Sequence, residues 1–180
     1  VHLDGPEICQ FEPFVFSVVK PVVKPEIYQW SSVTVSGILA VTSLLFLLFG
    51  ASSWYNVLNK PMFSLPLGVL SPFQAVSVFL AGFGARIVMG NVSGNPAVTP
   101  ARKLFGIWLS IHGVWLVVFA ALHLPVLSLG IAAIQWGVAT LCIQKFYNVD
   151  PRAGSKVTPL YIMTTYWMLL NGYIVGLNNL

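Results

Sequence analysis

The sequence predicts an all-α membrane protein, a five-transmembrane-helix bundle that follows a proline-rich, extended N-terminal arm. Composition is the first reason. Of 180 residues, 57% are apolar and only 8% charged, and the mean hydropathy is +0.82. A soluble domain carries about a quarter charged residues. Nine basic and five acidic side chains cannot clothe a water-facing surface of this size. The second reason is distribution: the apolar residues gather into five stretches. Each has roughly the 20 residues that a helix needs to cross a ~30 Å hydrocarbon layer.

The elements follow in order. Residues 1–31 are expected to form the arm, with Pro6, Pro13, Pro21 and Pro25 distributed along it. Proline removes backbone donors and opposes helix. The arm also holds Lys20, Lys24 and four of the five acids, and its apolar patch at 14–19 suits docking along a partner. Residues 32–180 are expected to form one membrane domain with spans at about 32–54, 67–89, 103–122, 126–147 and 156–177. Lipid offers no partner to a bare backbone, so these stretches must be helical. Breakers mark the connections: Lys60-Pro61 and Pro66, residues 91–100, Leu124-Pro125, and Asp150-Pro151. Short connections imply antiparallel neighbours in a bundle. There is no internal repeat.

Charge sets the expected topology. The arm and the second and fourth connections share one side and hold Lys20, Lys24, Arg102, Lys103, Lys145, Arg152 and Lys156, with Arg86 nearby. The other side has Lys60 alone. The N-terminus is therefore expected on the cytoplasmic, stromal or matrix side. The net charge of +4 is a topology signal and gives no reason to expect nucleic acid as a partner. Asn91-Val92-Ser93 is a glycosylation sequon on the positive side, where it should stay unused. The chain starts at Val1, and its first thirty residues resemble neither a signal core nor a transit peptide. A removed leader is the expectation, which suits an organelle membrane, thylakoid or mitochondrial.

The same residues limit the chemistry. Asp4, Glu7, Glu12 and Glu26 precede the first span, and Asp150 lies in a connection. No span contains an acid, so paired-carboxylate hydrolysis and hard-metal sites have no ligands there. Cys9 and Cys142 are far apart and show no metal-binding spacing. The chain is expected not to be an enzyme.

His112 is the most informative candidate. It falls mid-span, and Trp108 and Trp115 at helical spacing share its face. Intramembrane polar groups are costly and often functional. A neutral imidazole can be the axial ligand of a tetrapyrrole metal, the magnesium of chlorophyll or the iron of haem. The plainer alternative is a histidine hydrogen-bonded to a neighbouring helix. Gln74 offers an amide oxygen for the same ligation, or an interhelical bond. His123 falls at headgroup depth and is a further candidate tetrapyrrole ligand, although an interfacial histidine needs no special role. The stretch Gly82-Phe83-Gly84 lacks the strand-then-helix context of a nucleotide loop and is expected to allow close helix approach. Arg86 is expected to snorkel, with contact to an anionic lipid or a carboxylate as the alternative, and Asn171 is expected to bond a neighbouring helix.

From Trp54-Tyr55-Asn56-Val57-Leu58-Asn59-Lys60-Pro61 onward the chain resembles the TspO/MBR family, the translocator or peripheral benzodiazepine receptor family. That family reads W-Y-x-x-L-x-K-P at the end of its first helix. The frame continues through Pro66, Pro72, Gly82, Gly84, Trp115, Phe119, Phe146-Tyr147, Ala153, Pro159 and Asn171. The resemblance implies a five-helix bundle with a cavity opening toward the first connection, and tetrapyrroles, sterols or aromatic drugs as ligands. Several residues that line such a cavity are replaced here. The tryptophan-rich loop becomes Phe63 and Gly68, a helix-two tryptophan becomes Gln74, and a pocket tyrosine becomes Val78. The family's Q-x-x-x-N-x-x-W reads Trp108, His112 and Trp115. An acid falls on Ile131, a tryptophan on Met163, and a small pocket residue on Trp167. No Lys or Arg follows Tyr173, so the proposed cholesterol pattern is incomplete.

Two functions follow as expectations. One is an accessory subunit of a larger membrane complex of photosystem or respiratory type, holding other subunits, lipids or pigment at its edge. The other is a stand-alone binder of a tetrapyrrole (chlorophyll, haem or porphyrin). Fold alone does not decide between them.

Overall fold

The computed structural model describes residues 25–91 and 95–179, with side chains from Trp30 onward. The expected arm lies outside the described residues up to residue 24. Its last residues are helical, because α1 runs Pro25–Leu45. Proline is tolerated in the first turn, where its missing N–H has no intrahelical partner in any case. The other helices are α2 (Ser52–Val57), α3 (Leu67–Gly90), α4 (Val98–Leu116), α5 (Pro125–Val149) and α6 (Pro151–Leu177). Among the described residues there is no strand.

Five segments are long and apolar enough to cross a membrane: Trp30–Gly50, Leu67–Gly90, Val98–Ala121, Pro125–Val149 and Pro151–Leu177. This is the five-helix membrane bundle that composition implied. No more than half of any span is buried inside the bundle. The remainder exposes Ile38, Phe49, Phe73, Ile134, Ile162 and similar side chains, which only lipid or apolar protein can solvate. Around the bundle, α1 packs on α3, α3 on α6, α6 on α5, and α5 on α4.

Two spans end in π-helical turns, Phe46–Gly50 after α1 and Val117–Ala121 after α4. The first span was expected to continue as one helix to Trp54. Instead the chain breaks at Ala51 and restarts as α2. The two wide turns meet face to face. A β-carbon on Gly50 would lie 2.9 Å from the Ala120 carbonyl oxygen, so glycine is what lets the backbones touch. His123 completes the junction. Its backbone takes φ 54°, its Nε2 lies 3.1 Å from the Gly50 carbonyl oxygen, and its ring stacks on Trp54 at 5.0 Å.

Gly82 and Gly84 bring α3 against two different helices. A β-carbon on Gly82 would lie 2.7 Å from Ser36 Cβ of α1, and one on Gly84 would lie 2.9 Å from the Ala153 carbonyl oxygen of α6. The α5–α6 seam carries a buried hydrogen bond in which Ser128 Oγ donates to Asn171 Oδ1 at 2.6 Å. Asp150 caps α6 by accepting from the Arg152 N–H at 2.8 Å. Its hydrogen bonds to the Arg152 side chain and backbone hold the carboxyl below the usual aspartate range.

Candidate functional site

His112 stands at the centre of the bundle and is fully buried. On α4 it belongs to a ladder of rings spaced three or four residues apart, which places them one above another on a single helix face. Trp108 and His112 stack at 4.8 Å and 11°, His112 and Trp115 at 5.6 Å and 20°, and Trp115 and Phe119 at 5.2 Å and 12°. From α6, Trp167 closes on this ladder, 5.0 Å from Trp115 and 5.4 Å from Phe119.

The edge of the imidazole meets polar side chains from three other spans. Ser43 Oγ of α1 lies 3.1 Å from Nε2, and Gln74 Nε2 of α3 lies 3.3 Å from the same nitrogen. The Gln135 amide of α5 lies 3.0 Å from Nδ1. The fifth span joins through Gln74, whose Oε1 accepts from the Trp167 indole N–H at 2.9 Å. One connected network thus ties all five spans together.

The Trp167 indole fixes Gln74 Oε1 and so turns the Gln74 amide nitrogen toward His112 Nε2. The Gln135 amide nitrogen faces Nδ1, and the imidazole tautomer sets which ring nitrogen donates. The Ser43 hydroxyl donates to the Leu39 carbonyl at 2.7 Å. The imidazole is neutral in this arrangement, and all its polar partners are neutral. A metal ion on either ring nitrogen would have to displace one of them.

The residues singled out in the sequence therefore separate into two places. Trp108, His112, Trp115 and Gln74 come together at the bundle centre. His123 does not join them and serves the π-turn junction. Ser43 and Gln135 were missed. A serine or glutamine within a span is a polar group that needs a partner, and that signal was available in the sequence. Trp167 was noted only for its bulk, yet its indole supplies the fifth connection. Two donors remain unpaired in this core, the indole nitrogens Nε1 of Trp108 and Trp115.

The connection between the first two spans lies across the end of α6. Lys60 Nζ donates to the Tyr55 carbonyl at 2.6 Å and sits 4.7 Å from the Tyr55 ring centroid. The Leu65 N–H donates to the Tyr166 hydroxyl at 3.1 Å, and the Tyr55 hydroxyl donates to the Leu65 carbonyl at 3.2 Å. The Asn59 N–H donates to Asn178 Oδ1 at 3.0 Å, and Asn178 Nδ2 donates back to the Asn59 carbonyl at 2.9 Å. Burial, with nearby Tyr166 adding to it, pushes the Tyr55 phenol up to about 12.

Among the described residues, no group of three or more His, Cys, Asp or Glu side chains is placed to hold a metal ion. Fold and core together define a multi-pass helical membrane protein with a hydrogen-bonded aromatic centre. The TspO/MBR family model matches residues 32–177, and the chain belongs to that family. A comparison with curated proteins gave no match.

Proposed function

We propose that this chain is a non-catalytic TspO/MBR-family protein that works through its outer helix faces, as an accessory subunit of a larger membrane complex of photosystem or respiratory type. One observation carries the reading. His112 is fully buried, with neutral partners on three other spans at 3.0–3.3 Å. Stacked rings and Trp167 occupy the rest of the centre. The positions where the family resemblance implies ligand recognition (Gln74, Val78, His112, Trp167) are here buried in mutual packing. What is left for recognition is the lipid-facing surface and the N-terminal segment, facing other subunits in an organelle membrane with the N-terminus on the positive side.

Gentle solubilisation followed by native electrophoresis tests this. Co-migration with a large pigmented or respiratory assembly, lost when residues 1–24 are deleted, is the expected result. A stable free monomer in its native membrane extract contradicts it.

A second reading, the tetrapyrrole binder, is favoured by the unpaired indole N–H groups of Trp108 and Trp115. Buried donors without partners cost free energy, and a ligand carboxylate or carbonyl would satisfy them. On this reading added porphyrin saturates the purified monomer, and substituting either tryptophan by phenylalanine weakens uptake.

A further inference from the structure

A groove remote from His112 runs along the outer side of α3. Leu80, Phe83, Ile87 and Gly90 line it, Arg86 and Lys156 stand at it, and it encloses about 520 Å³. The Arg86 guanidinium is docked over the Trp30 ring, 3.7 Å from the centroid, so it is positioned rather than free to snorkel. A β-carbon on Gly84 would lie 3.4 Å from Lys156 Cβ, so α6 brings its lysine to the same seam. Among the described side chains neither cation has a carboxylate partner, since the ion pair they form is Arg152 with Asp150.

Depth gives the groove its meaning. Arg86 lies one turn from the end of the span Leu67–Gly90, and Lys156 lies near the start of the span Pro151–Leu177. Both cations therefore sit at the same membrane edge, at headgroup level. Leu80 and Phe83 continue the groove toward the hydrocarbon. Two cations with no carboxylate partner among the described side chains, above an apolar channel, match a molecule with an anionic head and a hydrocarbon tail.

We propose that this groove is a binding site for an anionic membrane lipid, its phosphate-type headgroup held by Arg86 and Lys156 and an acyl chain lying on Leu80 and Phe83. The site is independent of the subunit reading and holds whether the chain acts alone or in a complex. Native mass spectrometry of the detergent-purified protein, titrated with phosphatidylglycerol or phosphatidylcholine, tests it. The native chain should retain phosphatidylglycerol in preference. With about fivefold for each surface cation, R86Q/K156Q should weaken that retention roughly thirtyfold, while K60Q at the opposite edge leaves it unchanged. L80W keeps both cations, obstructs the acyl channel and should also reduce retention, which guards against a double variant that fails to fold. Inorganic phosphate should not compete. Equal retention of the two lipids, an R86Q/K156Q protein that retains phosphatidylglycerol like the native chain, or displacement by inorganic phosphate overturns the proposal.

Discussion

His112 illustrates how one residue's role is decided by what surrounds it. In the sequence it is a lone mid-span histidine, open to ligation or to hydrogen bonding. In the structure its partners Ser43, Gln74 and Gln135 are all neutral and come from three helices. Interhelical hydrogen bonds in membranes are worth about 1 kcal/mol each, and unpaired buried amides cost more. Replacing His112 by leucine should therefore destabilise the bundle by about 1–3 kcal/mol, read as a lower unfolding temperature in detergent. An unchanged unfolding temperature would mean that the network contributes little. Tyr55 makes a separate prediction. Its phenol is pushed up to about 12 by burial, above the ordinary value near 10, so folding favours the protonated form. That contribution is whole below pH 10 and is lost as the pH rises from about 10 toward 12. A Tyr55→Phe protein should lose stability less steeply across this alkaline window, as monitored by pH-dependent unfolding.

At the scale of elements, the helices and their number were legible because hydropathy and length constrain a membrane span more tightly than any soluble element. The breaks within them were not. Nothing in the run of residues 46–50 announces a π turn, because the wider turn answers the matching turn at Val117–Ala121 across the bundle. The role of Gly82-Phe83-Gly84 was readable as close approach, but not that its two glycines serve opposite neighbours, α1 and α6. Gly82→Ala should drive a methyl group into Ser36 and cost about 1–3 kcal/mol by overpacking. Adding Ser36→Gly should recover part of that loss, because it removes the atom in the way. If the double variant is no more stable than Gly82→Ala alone, the contact is not the cause.

For the whole molecule, the distribution of cations predicts a fixed orientation. Single cysteines at Lys60 and Arg152, in a chain lacking Cys9 and Cys142, should react with an impermeant maleimide from opposite sides of a sealed membrane. Labelling of both from one side would refute the assigned topology. The candidate site was legible in part. Trp108, His112 and Trp115 could be placed on one face from spacing alone, and Gln74 could be named as a polar group in need of a partner. Their joining through Ser43, Gln135 and Trp167 depends on how five helices rotate about their axes, which nearly uniform hydropathy leaves undetermined.

The central claim is that hydrogen bonds and stacked rings close the bundle axis, leaving the outer faces to act. Absorbance titration of the purified monomer with protoporphyrin tests it most directly. The native protein should show no saturable uptake, whereas Trp167→Ala, which opens space beside Trp115, should acquire it. One-to-one saturable binding by the native protein, abolished by His112→Leu, would contradict the account.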